Sequence, residues 1–335
     1  MNSQQKKSSI HTVQKIQITD EEYDQRLDNF LFRRFKNVPK SHIYQLLRSG
    51  QVRVDGKRIR ADYRLQFGNI LRIPPIRLSE KDCTQATLIP AKFFTFHVLF
   101  EDEALLVIDK PGGIAVHGGS GINFGVIEQL RAQNPSWKFL ELVHRLDRET
   151  SGLLMLAKKR NALVELHRQI RDGLTRKHYL TMVCGNWLNS VQHVKLALNK
   201  YTTAYGERRV AVVKDVIKTE TIKPMPAYTI FRLQKTWNNF SLLDAELKTG
   251  RTHQIRVHLA YHGFPIAGDD KYGNFEINKR LARSDRTLHL SRMFLHAHTL
   301  QFTHPISKQS MELYAPLAND LQSFINQLDT KFSVF

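Results

Sequence analysis

Glu141-Leu-Val-His144-Arg145-Leu146-Asp147-Arg148-Glu149-Thr150-Ser151-Gly152 is a knot of alternating charge, and the apolar strand Leu153–Ala157 follows it directly. That junction of charged turn and buried strand decides the fold, because the same texture recurs on both sides. His97–Phe100 and Leu105–Ile108 are apolar strands around Glu101-Asp102-Glu103, and Arg176-Lys177-His178 leads into a strand over Tyr179–Cys184. Strand signals continue to about Leu313, while helices are expected at Gly125–Ala132, Arg160–Asp172 (Leu163, Leu166 and Ile170 on one face), Arg256–Tyr261 and Asn319–Leu328. Strands separated by turns, with few regular β-α-β crossovers, define an α+β domain. It is expected over residues 95–330, as a mostly antiparallel mixed sheet with flanking helices.

A smaller unit is expected upstream, over residues 21–75. Leu27, Phe30, Leu31 and Phe35 fall at helical spacing, and a second helix over Lys40–Ser49 carries Ile43, Leu46 and Leu47, with Gly50 placed as its C-terminal cap. Asp55-Gly56 between two short apolar-basic runs is a hairpin signal, and Gly68-Asn69 turns the chain into the strand Ile70–Ile73. Residues 1–20 read as a flexible N-terminus and 76–94 as a linker.

The chain has 335 residues, with 50 Lys+Arg against 31 Asp+Glu, a formal charge of +19. An excess of this size points to a polyanionic partner, nucleic acid or an acidic membrane surface. No apolar run reaches the roughly 18 residues of a membrane span, and the lysines of the N-terminus precede no apolar signal segment. The reading is therefore a cytoplasmic protein without a membrane partner. Cys83 and Cys184 alone make neither a disulfide framework nor a cysteine zinc site. Between Lys36 and Arg60 the small unit carries Lys36, Lys40, Arg48, Arg53, Lys57, Arg58 and Arg60 against Asp55 alone. Spread over a helix, a turn and a hairpin that fold together, they are the candidate RNA-binding surface; a merely solvated charged face is the alternative.

Four clusters carry candidate chemistry. Asp147 between Arg145 and Arg148 is a place to keep a carboxylate ionised, or else a capped turn. Lys248-Thr249-Gly250-Arg251-Thr252-His253-Gln254-Ile255-Arg256-Val257-His258 gathers donors at the start of a helix, suited to phosphate or carboxylate, or else forms an exposed basic loop. Arg176-Lys177-His178-Tyr179 and Lys110-Pro111-Gly112-Gly113 complete the set. No glycine-rich nucleotide fingerprint and no nucleophile-elbow motif is present. His296, His298 and His304 lack an acidic or cysteine partner, so no metal and no cofactor is expected.

HRLDRETSGLLMLAKK (His144–Lys159) resembles the active-site motif of the pseudouridine synthases of the ribosomal large-subunit type. DKPGG (Asp109–Gly113), VHGG (Val116–Gly119), RKHYL (Arg176–Leu180), TGRTHQIRVHL (Thr249–Leu259) and RMFLHAHTLQFTHP (Arg292–Pro305) are similar to the family's other segments, in order. Residues 21–75 resemble the S4 RNA-binding domain that precedes the catalytic domain. PKSHIYQLLRSGQVRVDGKRI (Pro39–Ile59) and VHGGSGINFGVIEQLRA (Val116–Ala132) are most similar to the branch that modifies uridines in 23S rRNA. One departure lies at Val216–Thr221, where the family's Gly-Lys-x-Ala-x-Thr keeps only its final Thr.

The resemblance implies an isomerase that detaches uracil from ribose at N1 and rejoins it through C5, with no cofactor. It assigns Asp147 as nucleophile, Arg256 as its bidentate ion-pair partner, and Tyr179 as a stacking platform with its hydroxyl as candidate base. Ile255 lines the pocket, Arg145 fills the space of an extruded uridine, and His253 and Arg251 bind substrate. Lys110 and Pro111 brace the Asp147 loop. The implied partner is 23S rRNA or a large-subunit precursor; no protein partner is implied and a monomer is the default. A non-catalytic S4-type assembly factor and a metal-dependent RNA hydrolase are the competing readings.

Overall fold

The computed structural model describes residues 12–19, 21–35, 38–76, 93–118, 124–204, 206–213, 224–283 and 287–332. The chain forms two compact units, one of residues 1–91 with 159–164, the other of the remainder.

In the first unit β1 (Gln14–Gln17), α1 (Leu27–Arg34), α2 (Lys40–Arg48), β2 (Arg53–Val54), β3 (Lys57–Arg58) and β4 (Ile70–Ile73) form a four-stranded sheet ordered β1-β4-β2-β3 beneath two helices. The positions expected to be apolar close its core: Leu27, Phe30, Leu31, Phe35, Ile43, Leu46 and Leu47 are buried together with Val54, Leu71 and Ile73. Gly50 ends α2 at φ +71°, and the β2–β3 hairpin turns on Asp55 (φ +48°) and Gly56 (φ +75°), a pair of left-handed residues that matches the twist of a two-residue hairpin.

The second unit contains β5 (His97–Glu101), β6 (Leu105–Lys110), α3 (Val126–Gln133), β7 (Glu141–Leu142), β8 (Ser151–Ala157), α4 (Arg160–Arg171) from Glu165 onward, and β9 (Arg176–Cys184). It continues with β10 (Val191–Lys195), β11 (Leu198–Thr202), β12 (Arg208–Val212), β13 (Tyr228–Trp237), β14 (Phe240–Leu247), α5 (Gln254–Tyr261), α6 (Phe275–Leu281), β15 (Leu295–Thr303), β16 (Ser310–Tyr314) and α7 (Asn319–Phe332). The main sheet runs β10-β13-β14-β9-β15-β8-β6-β5, with β16 on β15 and β7 on β8. Every pairing is antiparallel except β8 with β15, which makes the sheet mixed. β8 is buried along its whole length, as its unbroken apolar run requires. α6 was not expected from sequence; α5 begins two residues earlier than expected, at Gln254. The departure at Val216–Thr221 lies outside the described residues, as does Lys36. Among the described residues no helix is long and apolar enough to cross a membrane.

Candidate active site

The parallel step between β8 and β15 fixes the loop that carries Asp147. Gly152 sits opposite Ala297 at φ +103°, and a Cβ there would lie 2.2 Å from the Ala297 carbonyl oxygen, so only glycine lets the strands close. Next to it the Ser151 hydroxyl meets His296 Nδ1 at 2.9 Å. Arg292, clamped by Asp320 at 2.5 and 2.9 Å, reaches the same hydroxyl at 3.2 Å and the Glu149 carbonyl at 3.4 Å. From the other side the fully buried Lys110 donates to the carbonyls of Pro111, Ile114 and Arg148 at 2.7, 2.9 and 3.1 Å. Three acceptors match the three N–H groups of an ammonium. Burial nevertheless draws its pKa down to about 7, against the pull of Glu149. His144 accepts from the Met155 amide at 3.1 Å, and burial keeps its imidazole neutral, its pKa lowered to about 3.

Asp147 projects from this loop with 27% of its side chain exposed, so it is enclosed but reachable. Arg256 Nη1 donates to its Oδ2 at 3.1 Å, His253 Nε2 stands 3.8 Å from the same oxygen, and Oδ1 has no partner among the described residues. Two expectations are corrected here. The adjacent arginines do not hold the carboxylate: Arg148 donates to the Gly113 carbonyl at 2.9 Å, and Arg145 is exposed with no partner among the described residues. Nor is Asp147 the bidentate partner of Arg256. The guanidinium fork closes on Asp269, with Nε and Nη2 each at 2.7 Å, and Nη2 also meets Asp270 at 3.0 Å. The reason is burial: Asp269 is 0% exposed and Arg256 side chain 5%, and two such charges require each other's full hydrogen-bonding geometry.

Asp269 is itself fixed by the amides of Lys271 and Tyr272 at 2.8 and 3.0 Å. Burial raises its pKa, but Arg256 and these amides outweigh that and hold it below the ordinary carboxylate value. Burial likewise opposes the charge of Arg256, and Asp269 with Asp147 more than offsets it, so the guanidinium pKa is raised. Asp269, Asp270 and Tyr272 were missed by sequence reasoning. The one available signal was α5 itself, where Arg256 sits among buried Ile255, Val257 and Leu259 and must therefore have a buried carboxylate.

The loop before α5 is sealed by Gln254. Its Oε1 accepts from the Thr249 hydroxyl at 2.7 Å and the Arg251 amide at 3.0 Å, and its Nε2 donates to Tyr228 O and Thr229 Oγ1. His253 then starts the helix at φ +52°, its Nδ1 2.9 Å from the Tyr272 hydroxyl. Arg251 is exposed and donates to Pro226 O at 3.1 Å; Ile255 is buried. Tyr179 is 6% exposed on β9 between Ala245 of β14 and Ala297 of β15, directly opposite residues that share its face and add no bulk beside the ring. Burial first, and the charge of Asp147 second, raise its pKa, so its hydroxyl stays protonated. The structure thus brings Asp147, Arg256, His253 and Tyr179 into one electrostatic neighbourhood.

In the first unit Lys40, Arg48, Arg53, Lys57, Arg58 and Arg60 are all exposed. Arg48, Arg58 and Arg60 line a groove of about 550 Å³ together with Tyr44 and Asp28. Arg58 is held against the Arg48 carbonyl and Arg53 against Gly50 O, which pre-orders part of this basic surface.

Comparison with known proteins agrees with this architecture. Residues 104–261 match the RNA pseudouridylate synthase family and residues 25–71 the S4 domain. The chain belongs to the RNA pseudouridylate synthase family and is an RNA pseudouridine synthase, an isomerase. Its relatives are more specific. A Haemophilus influenzae protein (strain ATCC 51907 / DSM 11121 / KW20 / Rd) called ribosomal large subunit pseudouridine synthase C is 42% identical over 330 residues, 98% of this chain and 99% of that one. The protein of the same name from Escherichia coli (strain K12) is 44% identical over 324 residues, 96% of this chain and 98% of that one. Among solved structures, human RNA pseudouridylate synthase domain containing 1 shares the fold, with TM-score 0.54 and 23% identity over 72% of this chain and 97% of that one.

Proposed function

We propose that this protein isomerises specific uridines of 23S ribosomal RNA, in the large subunit or its precursor, to pseudouridine. The observation that carries the reading is the Asp147 carboxylate, held by a single Arg256 donor with Oδ1 unengaged among the described residues, in a chain similar over nearly its full length to large-subunit synthases. In the reaction the C1′–N1 bond breaks and a C1′–C5 bond forms; the proton leaves C5 and N1 gains one, so atoms balance without an added reactant. Asp147 is the nucleophile. Arg256 orients it, while Asp269 and Asp270 hold Arg256.

A uridine in folded RNA reaches this carboxylate only by flipping out, at a cost of a few kcal/mol. Arg145, exposed next to Asp147 and unpartnered among the described residues, fills the vacated stack. The uracil rests on the Tyr179 ring above Ile255, with the Tyr179 hydroxyl near C5 as the candidate base that takes its proton, and Arg251 takes a neighbouring phosphate. Lys110, with Pro111, holds the loop. Residues 21–75 dock RNA through Lys36, Lys40, Arg48, Arg53, Lys57, Arg58 and Arg60, 76–94 link the units, and 95–330 carry the chemistry. The protein works as a monomer in the cytoplasm, with its ribosomal substrate.

Incubation with unmodified large-subunit rRNA, with and without EDTA, tests this. Pseudouridine formed at discrete positions in both arms is expected. Binding without conversion, or strand cleavage that EDTA abolishes, would contradict it.

A further inference from the structure

The Tyr272 hydroxyl has two hydrogen-bond neighbours among the described residues. The Val210 amide, on β12, lies 3.0 Å from its oxygen, and a backbone N–H can only donate. His253 Nδ1 lies 2.9 Å from the same oxygen. The phenol proton therefore has one protein acceptor, Nδ1, and the arrangement that satisfies all three groups has Tyr272 donating to His253. A neutral imidazole that accepts at Nδ1 carries its own proton on Nε2. Nε2 is the atom turned toward Asp147, 3.8 Å from Oδ2.

The ring has little freedom to do otherwise. Its backbone is left-handed, the Tyr272 ring packs edge-on at 5.6 Å, and the Arg256 guanidinium covers the other ring at 5.2 Å. Val210 is held to the same neighbourhood by Arg209, which donates to Lys271 O at 3.2 Å, and by the Lys271–Glu207 pair.

The geometry points to His253 as a positioning residue: Tyr272 fixes its neutral Nε2–H tautomer, and that N–H closes onto Asp147 Oδ2 when substrate enters, leaving Oδ1 to react. This rests on the assignment of Asp147 as nucleophile. A separation of 3.8 Å is too long for a hydrogen bond, and such contacts shorten in the reactive complex. A neutral donor suits the role, because it orients the carboxylate without cancelling a charge that Arg256 already partly compensates. The charged groups around His253 are Asp147 from its loop, Arg256 from α5, and Asp269 and Lys271 from the segment after α5. Burial lowers its pKa, with Arg256 and Lys271 in support and Asp147 opposing, which favours the neutral ring.

Nitrogen NMR of the imidazoles in the full-length protein reads the tautomer directly. Protonated Nε2 with bare Nδ1 is expected, with a mixture in Tyr272→Phe; a neutral ring protonated on Nδ1 in the wild type overturns the proposal. Two substitutions then test the role. His253→Gln can present an N–H near the place of Nε2, whereas His253→Asn, well suited to the left-handed backbone, stops at Nδ1. The single-turnover rate should fall roughly tenfold to a hundredfold in the Asn variant, the equivalent of one hydrogen bond to a charged group, and recover most of that in the Gln variant. The acid limb of the rate–pH profile should move to lower pH in the Gln variant, where no imidazole titrates beside Asp147. Equal rates in the two variants, or an unmoved acid limb, refute the proposal. An active Asp147→Asn would instead strike the nucleophile assignment, and the tautomer result stands apart from it.

Discussion

Asp269→Asn is the sharpest perturbation the structure offers, because it changes one atom at a fully buried carboxylate behind Arg256. Oδ1 of Asp269 receives Arg256 Nη2 and the amides of Lys271 and Tyr272, while Oδ2 receives Arg256 Nε at 2.7 Å. The Asn oxygen must take the first position, which puts its NH2 against the Arg256 N–H where an acceptor is required. A buried guanidinium then loses its paired charge and one charge-assisted bond. Breaking one partner of a buried pair costs about 3–5 kcal/mol. In a unit of this size that lowers Tm by roughly 10 °C. Arg256 also loses the anchor that aims Nη1 at Asp147, so single-turnover isomerisation should fall at least about tenfold at a temperature where the variant is folded. Chemical denaturation and quenched single-turnover assays measure the two effects separately. A variant within about 1 kcal/mol of wild type and reacting at the wild-type rate would refute the claim that Asp269 orients the site.

Three further outcomes follow from the same geometry. Tyr179→Phe keeps the stacking face and loses the hydroxyl, so RNA affinity should hold while the proton-transfer step slows; equal loss of both in binding and single-turnover assays would contradict the division of roles. For Lys110→Met the pH dependence carries the signal: the wild-type amine titrates at about 7 when folded and 10.5 when unfolded, so the native state binds fewer protons between those values. The stability difference between wild type and variant should therefore be flat below pH 7 and shift in favour of the wild type as the pH rises from 7 to 10.5, by at most about 1.4 kcal/mol per unit in denaturant titrations. A chain beginning at Pro90 should remain active on RNA fragments at saturating substrate but bind with a shallower salt dependence, each lost phosphate contact removing about 0.7–0.9 from the slope. An unchanged slope in a well-folded truncation would show that residues 21–75 do not dock RNA.

Local chemistry made much of the fold legible. Asp55-Gly56 and Gly68-Asn69 specify their turns through backbone conformation, and the helices and strands beside them follow from apolar spacing that the structure buries as read. The long-range part was not legible. Asp147 and Arg256 are 109 positions apart, and no neighbour of either encodes the single bond between them. Gly268-Asp269-Asp270-Lys271-Tyr272 carried no expectation from the sequence. It becomes the interior support of the site because Gly268, at φ +79°, packs against the Arg292 carbonyl, where a Cβ would come within 2.1 Å. Tertiary packing of that kind makes the segment a buried anchor, and sequence spacing has no term for it.

Whether the Asp147 carboxylate performs the chemistry is tested most directly with rRNA from a strain lacking the gene. Complementation with the wild type should restore pseudouridine at every position lost from the large-subunit rRNA. Asp147→Asn, expressed to the same level and binding the same RNA, should restore none; restoration at the wild-type extent would contradict the account.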